Sequence, residues 1–91
     1  MYDIHYSSKF KKDVKRCKKQ NKDMDKFKDI HELLINDNDL PLKNKDHELI
    51  GNWNGFRECH IEPDWLLIYR RDKKLKILEY ARMGSHSDLF D

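Results

Sequence analysis

The hydrophobic repeat of this chain changes period part-way along, and a proline marks the change. From about residue 8 to residue 36 apolar residues recur at helical spacing; from residue 47 onward they alternate, as in strands. Pro41 lies in the polar stretch 36–46 between the two regimes. A chain holding both patterns must build two layers, because each kind of element has an apolar face to cover. With 91 residues it can build only one such unit, residues 1–91, around a small core.

Residues 2–7 set Tyr2, Ile4 and Tyr6 against Asp3, His5 and Ser7, the alternation of a half-buried strand. Ser7 or Ser8 caps a helix running to about Lys19, with Phe10, Val14 and Cys17 as its apolar stripe. Gln20-Asn21 breaks it. Asn21 is the expected cap of a second helix to about Asn36, striped by Met24, Phe27, Ile30 or His31, Leu34 and Ile35. Helices joined so briefly form an antiparallel hairpin. Past Pro41, residues 47–50 read as a short strand and 51–55 as a turn. Residues 56–62 form a strand with Phe56, Glu58, His60 and Glu62 on one face, and Arg57, Cys59 and Ile61 on the other. Glu62-Pro63-Asp64 turns the chain. Residues 65–70, almost continuously apolar, are a strand buried on both faces. Residues 71–74 then reverse the chain into a strand over 75–83. Gly84-Ser85-His86 leaves the sheet, and 87–91 is a short tail or a single helical turn. The expected fold is α+β, in the order β-α-α-β-β-β-β: a twisted antiparallel sheet with the helical hairpin packed on one face.

Charge is concentrated rather than large. Residues 1–20 carry seven basic and two acidic side chains, a local +5, while the whole chain is only +2. Such a block suits an anionic polymer, which makes Lys11, Lys12, Lys15 and Lys18 candidate RNA contacts; a merely solvated helix face is the plain alternative. Cys17 and Cys59 form no C-x-x-C pair and read as small apolar residues of a reducing compartment. With no cationic start before an apolar run, and no apolar stretch of membrane-spanning length, the expectation is a soluble cytoplasmic protein with no membrane partner.

The C-terminal half gathers His47, His60, Asp64 and His86 beside Arg57 and Arg82. Imidazole both accepts and donates protons near neutral pH, and cationic groups stabilise a crowded phosphate, so this set points to acid–base cleavage of a phosphodiester. His5 and His31 stand in regular elements without a polar cluster and read as packed, structural histidines. No helical i, i+4 histidine pair or cysteine–histidine knuckle is present, so neither a metal site nor another cofactor is expected. Ser85 lacks a nucleophile elbow, and Cys59 falls on the strand face opposite His60. Trp53, in its turn, is the aromatic best placed to stack on an unpaired base; Trp65 and Phe56 read as packing residues.

These residues form a recognisable series. Asp46-His47, Leu49, Gly51, Trp53, Gly55 and Arg57, followed by His60, Glu62-Pro63-Asp64-Trp65 and Leu67-Ile68-Tyr69, resemble the YafQ-type branch of the RelE/ParE toxin superfamily. The ending Arg82, Gly84, His86 and Leu89-Phe90 is similar to that branch's terminus. The resemblance spans essentially the whole chain. It implies a RelE-like fold and a type II toxin: an endoribonuclease that cuts mRNA, typically on the ribosome, and is silenced by a cognate antitoxin protein. It also implies catalytic roles for His47, His60, Asp64 and His86, assisted by Arg82 and Phe90. The expected mechanism is attack by a ribose 2′-OH on its own phosphate. His86 acts as acid and His60 or His47 as base, Asp64 orients a histidine, and Arg82 neutralises the phosphate. Phe90 packs on a base or positions His86. Two rivals share the fold: a ParE-type poison of DNA gyrase, for which acid–base residues are superfluous, and a degenerate scaffold that only binds antitoxin.

Overall fold

A computed structural model describes residues 1–90; Asp91, the end of the expected tail, lies outside the described residues. The elements are β1 (Asp3–Tyr6), α1 (Ser8–Lys19), α2 (Met24–Ile35), β2 (His47–Glu48), β3 (Arg57–Glu62), β4 (Trp65–Asp72), β5 (Ile77–Gly84) and α3 (His86–Phe90). They build one sheet in the order β1-β5-β4-β3-β2. The run β2 to β5 is antiparallel throughout, but β1 lies parallel to β5. The sheet is therefore mixed, not antiparallel as expected. The hairpin logic behind that expectation holds only for strands adjacent in sequence, and β1 and β5 are not adjacent.

Ser7 caps α1, its Oγ accepting the Phe10 N–H at 2.9 Å. The cap of α2 is Asp23, which accepts from the Asp25 N–H at 3.1 Å, rather than Asn21. Asn21 instead takes a left-handed φ of 58° in the connection, a conformation asparagine tolerates better than most residues. Both helices bury apolar residues in one core with the sheet: Phe10 and Cys17 of α1, Ile30 and Leu34 of α2, against Cys59, Trp65, Leu67, Tyr69, Leu78, Tyr80 and Met83. Tyr80 stacks on Phe10 at 5.3 Å between ring centres and meets Phe27 edge-on at the same separation. Leu66 and Ile68, also fully buried, belong to the other face of the sheet, so β4 is covered on both sides.

The α1 stripe contains a charge the apolar pattern does not announce. Asp13 is buried, while Val14 is half-buried at the edge of the core. Beyond Tyr80 the strand β5 has outrun β1, and its open edge would leave backbone groups unpaired. Side chains of the α1 cap and of α1 itself take that role. Ser7 Oγ donates to the Ala81 carbonyl (2.7 Å), Asp13 Oδ2 accepts the Met83 N–H (3.0 Å), and Arg16 Nη2 donates to the Met83 carbonyl (2.7 Å). A helix thus substitutes for a sixth strand and fixes the end of β5, from which Ser85 and His86 follow.

Candidate active site

Alternation along β3 assigns its two faces. Cys59 and Ile61 enter the helix-side core, so Glu58 and His60 face the opposite way. His47 pairs with Glu58 across β2 and β3 and joins them. A register shift between His60 and Glu62 ends the alternation, and Glu62 turns away to Lys26 of α2 at 2.7 Å, contrary to the expected face.

His86 is placed by the three residues around it. A Cβ on Gly84 would come within 2.5 Å of Arg16 Nη2 and 2.9 Å of Asp88 Cβ, so only glycine allows this close approach. Ser85 and Asp88 then form a reciprocal cap: Ser85 Oγ accepts the Asp88 N–H (3.1 Å) and Asp88 Oδ2 accepts the Ser85 N–H (3.0 Å). That cap starts α3 and sets His86 in its first turn, where Asp64 Oδ1 accepts both its backbone N–H (3.0 Å) and its ring Nδ1–H (2.6 Å). The backbone contact first, and the ring contact after it, hold the Asp64 carboxyl below the usual range, so it is ionised.

All three rim histidines share one arrangement. His47 Nδ1 lies 2.8 Å from the Lys45 carbonyl, His60 Nδ1 lies 3.2 Å from the Pro63 carbonyl, and His86 Nδ1 rests on Asp64. Each partner is an acceptor, so each Nδ1 carries the proton and each Nε2 is presented for chemistry. The rings of His60 and His86 stand 5.8 Å apart, edge to face. Glu58 Oε1 lies 3.6 Å from His47 Nε2 and 3.8 Å from His60 Nε2, and its side chain is 8 % exposed. A buried acidic side chain thus stands beside both Nε2 atoms. Sequence reasoning put Glu58 on the correct face without assigning it to the site.

The remaining sequence candidates divide. Arg82 is on the histidine face, in register with Ile68 and, through it, Glu58. Its Nε and Nη2 are held by Asp13 at 2.8 and 3.2 Å. Phe90 lies four residues past His86 on α3, half-exposed on the same side of that helix. Arg57 does not join the histidines. It pairs with Tyr69, a core residue of the helix side, and is bound to Asp46 at 3.2 Å. Trp53 packs edge-on against Phe56 at 5.4 Å and is half-buried. Lys11, Lys12, Lys15 and Lys18 are exposed on α1, a helix of the opposite layer. Lysines that sequence reasoning passed over lie nearer: Lys26, Lys43 and Lys45 line a cleft of about 520 Å³ together with His60.

The structural histidines differ from each other. His31 is half-buried with Nδ1 2.6 Å from the Tyr80 hydroxyl, as a packed histidine should be. His5 is exposed on the edge strand β1 and packs on nothing in the core, against expectation. Among the described residues, no group of three or more His, Cys, Asp or Glu side chains is arranged to hold a metal ion.

Residues 2–91 match a sequence family described as the bacterial toxin of type II toxin–antitoxin systems, YafQ. The chain belongs to the YafQ family of type II toxins. It is 49 % identical to the mRNA interferase toxin YafQ of Escherichia coli K12 over 89 residues, 97 % of this chain and 95 % of that protein. The crystal structure of the E. coli DinJ–YafQ complex contains a chain that superposes with a TM-score of 0.91 at 47 % identity, covering all of both. A metal-bound toxin from Helicobacter pylori superposes with a TM-score of 0.90 at 41 % identity, over 99 % of this chain and all of that one. The family's fold is therefore this fold. Among the described residues no helix is long and apolar enough to cross a membrane.

Proposed function

We propose that this toxin is an mRNA interferase whose histidine rim cleaves RNA by intramolecular attack of a ribose 2′-OH. The observation that carries the reading is the shared tether: three imidazoles, each fixed through Nδ1, present three Nε2 atoms on one face. His86 is the acid. Its ring is fixed through Nδ1 by the Asp64 carboxylate at the start of α3, whereas His47 and His60 are fixed through backbone carbonyls and present Nε2 beside Glu58 as the candidate bases.

In the reaction, His60 or His47 Nε2 takes the proton of the 2′-OH as its oxygen bonds to phosphorus. The bond to the 5′-oxygen breaks, and that oxygen takes the proton from His86 Nε2. The products are a 2′,3′-cyclic phosphate and a 5′-OH. Arg82, oriented by Asp13, brings positive charge to the same face for the crowded phosphate. Phe90 follows His86 by one helical turn, in position to pack on a base or on the His86 ring. Stacking by Trp53 and phosphate contacts by the exposed α1 lysines would add affinity; Arg57 is committed to Asp46 and contributes little.

The partners of this reading are mRNA, the ribosome and a cognate antitoxin. The DinJ–YafQ complex of the relative supports the last of these, and the basic α1 suits ribosomal RNA or an acidic antitoxin segment. No feature of the rim favours the gyrase poison. We expect cleavage to persist in excess chelator and to leave cyclic or 3′-phosphate ends. Mapping the termini of mRNA cut in a translating extract tests this. A 5′-phosphate with a 3′-OH would require an activated water and overturn the mechanism, and loss of cleavage on chelation would assign this chain a metal such as its Helicobacter relative holds.

A further inference from the structure

The histidine face of the sheet continues beyond the rim. In β4, Tyr69 enters the helix-side core and Arg71 donates to the Leu34 and Asn38 carbonyls on the helix side, so Arg70 between them points to the histidine face. There its guanidinium carbon stands 5.1 Å from the centre of the Phe56 ring, and Trp53 packs edge-on against that same ring at 5.4 Å. Arg70 Nη2 is held by Glu79 Oε1 at 2.7 Å, which anchors one edge of the guanidinium, yet the side chain remains 52 % exposed.

From this geometry we infer that Arg70, stacked on Phe56 and steadied by Glu79, is a platform for a base of the RNA strand flanking the cleaved bond. The inference rests on the nuclease reading above. Three observations support it. The platform shares a face with His47, Glu58 and His60, so a strand lying across the rim passes over it. Phe56, the residue before β3, is four residues from His60, about 13 Å at the rise of a strand. An extended single strand covers that in about two nucleotides. Finally, Glu79 largely offsets the charge of Arg70, so what the side chain offers is its flat face rather than a phosphate contact. A guanidinium plane is an established stacking surface for unpaired bases.

The test uses the full chain and mRNA-programmed ribosomes carrying 2-aminopurine two nucleotides to one side or the other of the cleavage site. A deoxyribose at the cleaved position blocks the reaction. Wild type should quench 2-aminopurine on one side only. Arg70→Lys, which keeps the charge and loses the plane, should abolish that quench and raise KM roughly 5- to 100-fold on cleavable mRNA with kcat little changed. Phe56→Leu should act in the same direction, and a thermal melt of each variant reports whether the fold is intact. Equal quenching by wild type and Arg70→Lys, or a KM restored by lysine, would overturn the platform. Failure of the nuclease reading is visible separately, because wild type would then leave the cleavable mRNA whole.

Discussion

The two faces of this sheet treat histidine in opposite ways. On the helix side, His31 Nδ1 meets the hydroxyl of Tyr80, whose phenol burial keeps protonated and so able to donate. The ring accepts, and burial lowers its pKa, so it is held neutral and inert. On the open side, His47, His60 and His86 donate through Nδ1 to carbonyl or carboxylate oxygens and leave Nε2 free. The same residue is a core contact in one place and, in the mechanism proposed here, an acid or base in the other. The difference lies in burial and in what Nδ1 touches, and the residue type alone does not reveal it.

The sharpest way to break that contrast is one substitution on each face. His86→Ala should lower cleavage by about 10²–10⁴-fold and leave the melting temperature nearly unchanged, because the side chain is more than half exposed. Trp65→Ala should do the reverse in kind, costing about 3–5 kcal/mol of stability by emptying a fully buried site. Cleavage assays on folded protein, with a denaturant titration of each variant, separate the two. A His86 variant that loses stability rather than rate would mean that α3 is scaffold, not site.

Asp13 joins the faces and gives an intermediate effect. Burial alone would raise its pKa, but hydrogen bonds from Arg82, the Met83 N–H and Arg16 outweigh burial and hold it below the ordinary value. Its contribution to stability is therefore present above the unfolded carboxylate pKa of about 3.9 and is lost as pH falls through the lower folded value. Asp13→Asn should cost roughly 1.5–3 kcal/mol at neutral pH and flatten the acid limb of the stability curve. It should also slow cleavage, since Arg82 loses the partner that orients it. Stability curves from pH 2 to 7 for both proteins check the sign.

How far the sequence foretold these features depends on how local they are. The cap of α1 was narrowed to Ser7 or Ser8, and Ser7 makes it, because a cap is made within four residues. The turn Glu62-Pro63-Asp64 and the apolar run of β4 were equally legible. Glu58 was legible in part: alternation put Glu58 beside His60, while proximity in sequence favoured Arg57, which the same alternation sends to the other face. Asp13 was not legible. Its reason for burial is a strand edge 70 residues away, and no local pattern encodes that. The parallel pairing of β1 was hidden for the same reason.

The smallest effect tests the comparison itself. Because the folded pKa of His31 is depressed by burial, the unfolded chain binds a proton there first as pH falls. Its contribution is therefore fully present above about 6.5, the unfolded value, and is lost as pH falls from there through the folded value. His31→Phe, which keeps a ring beside Phe27 and Tyr80, should remove that pH dependence and leave cleavage unaltered. Nitrogen-15 NMR of the imidazoles gives the direct reading. His31 should show its proton on Nε2 at neutral pH, while neutral His47 and His60 show theirs on Nδ1. If His31 were found as the Nδ1–H form, its ring would be donating to Tyr80, and the division between an accepting core histidine and three donating site histidines would collapse.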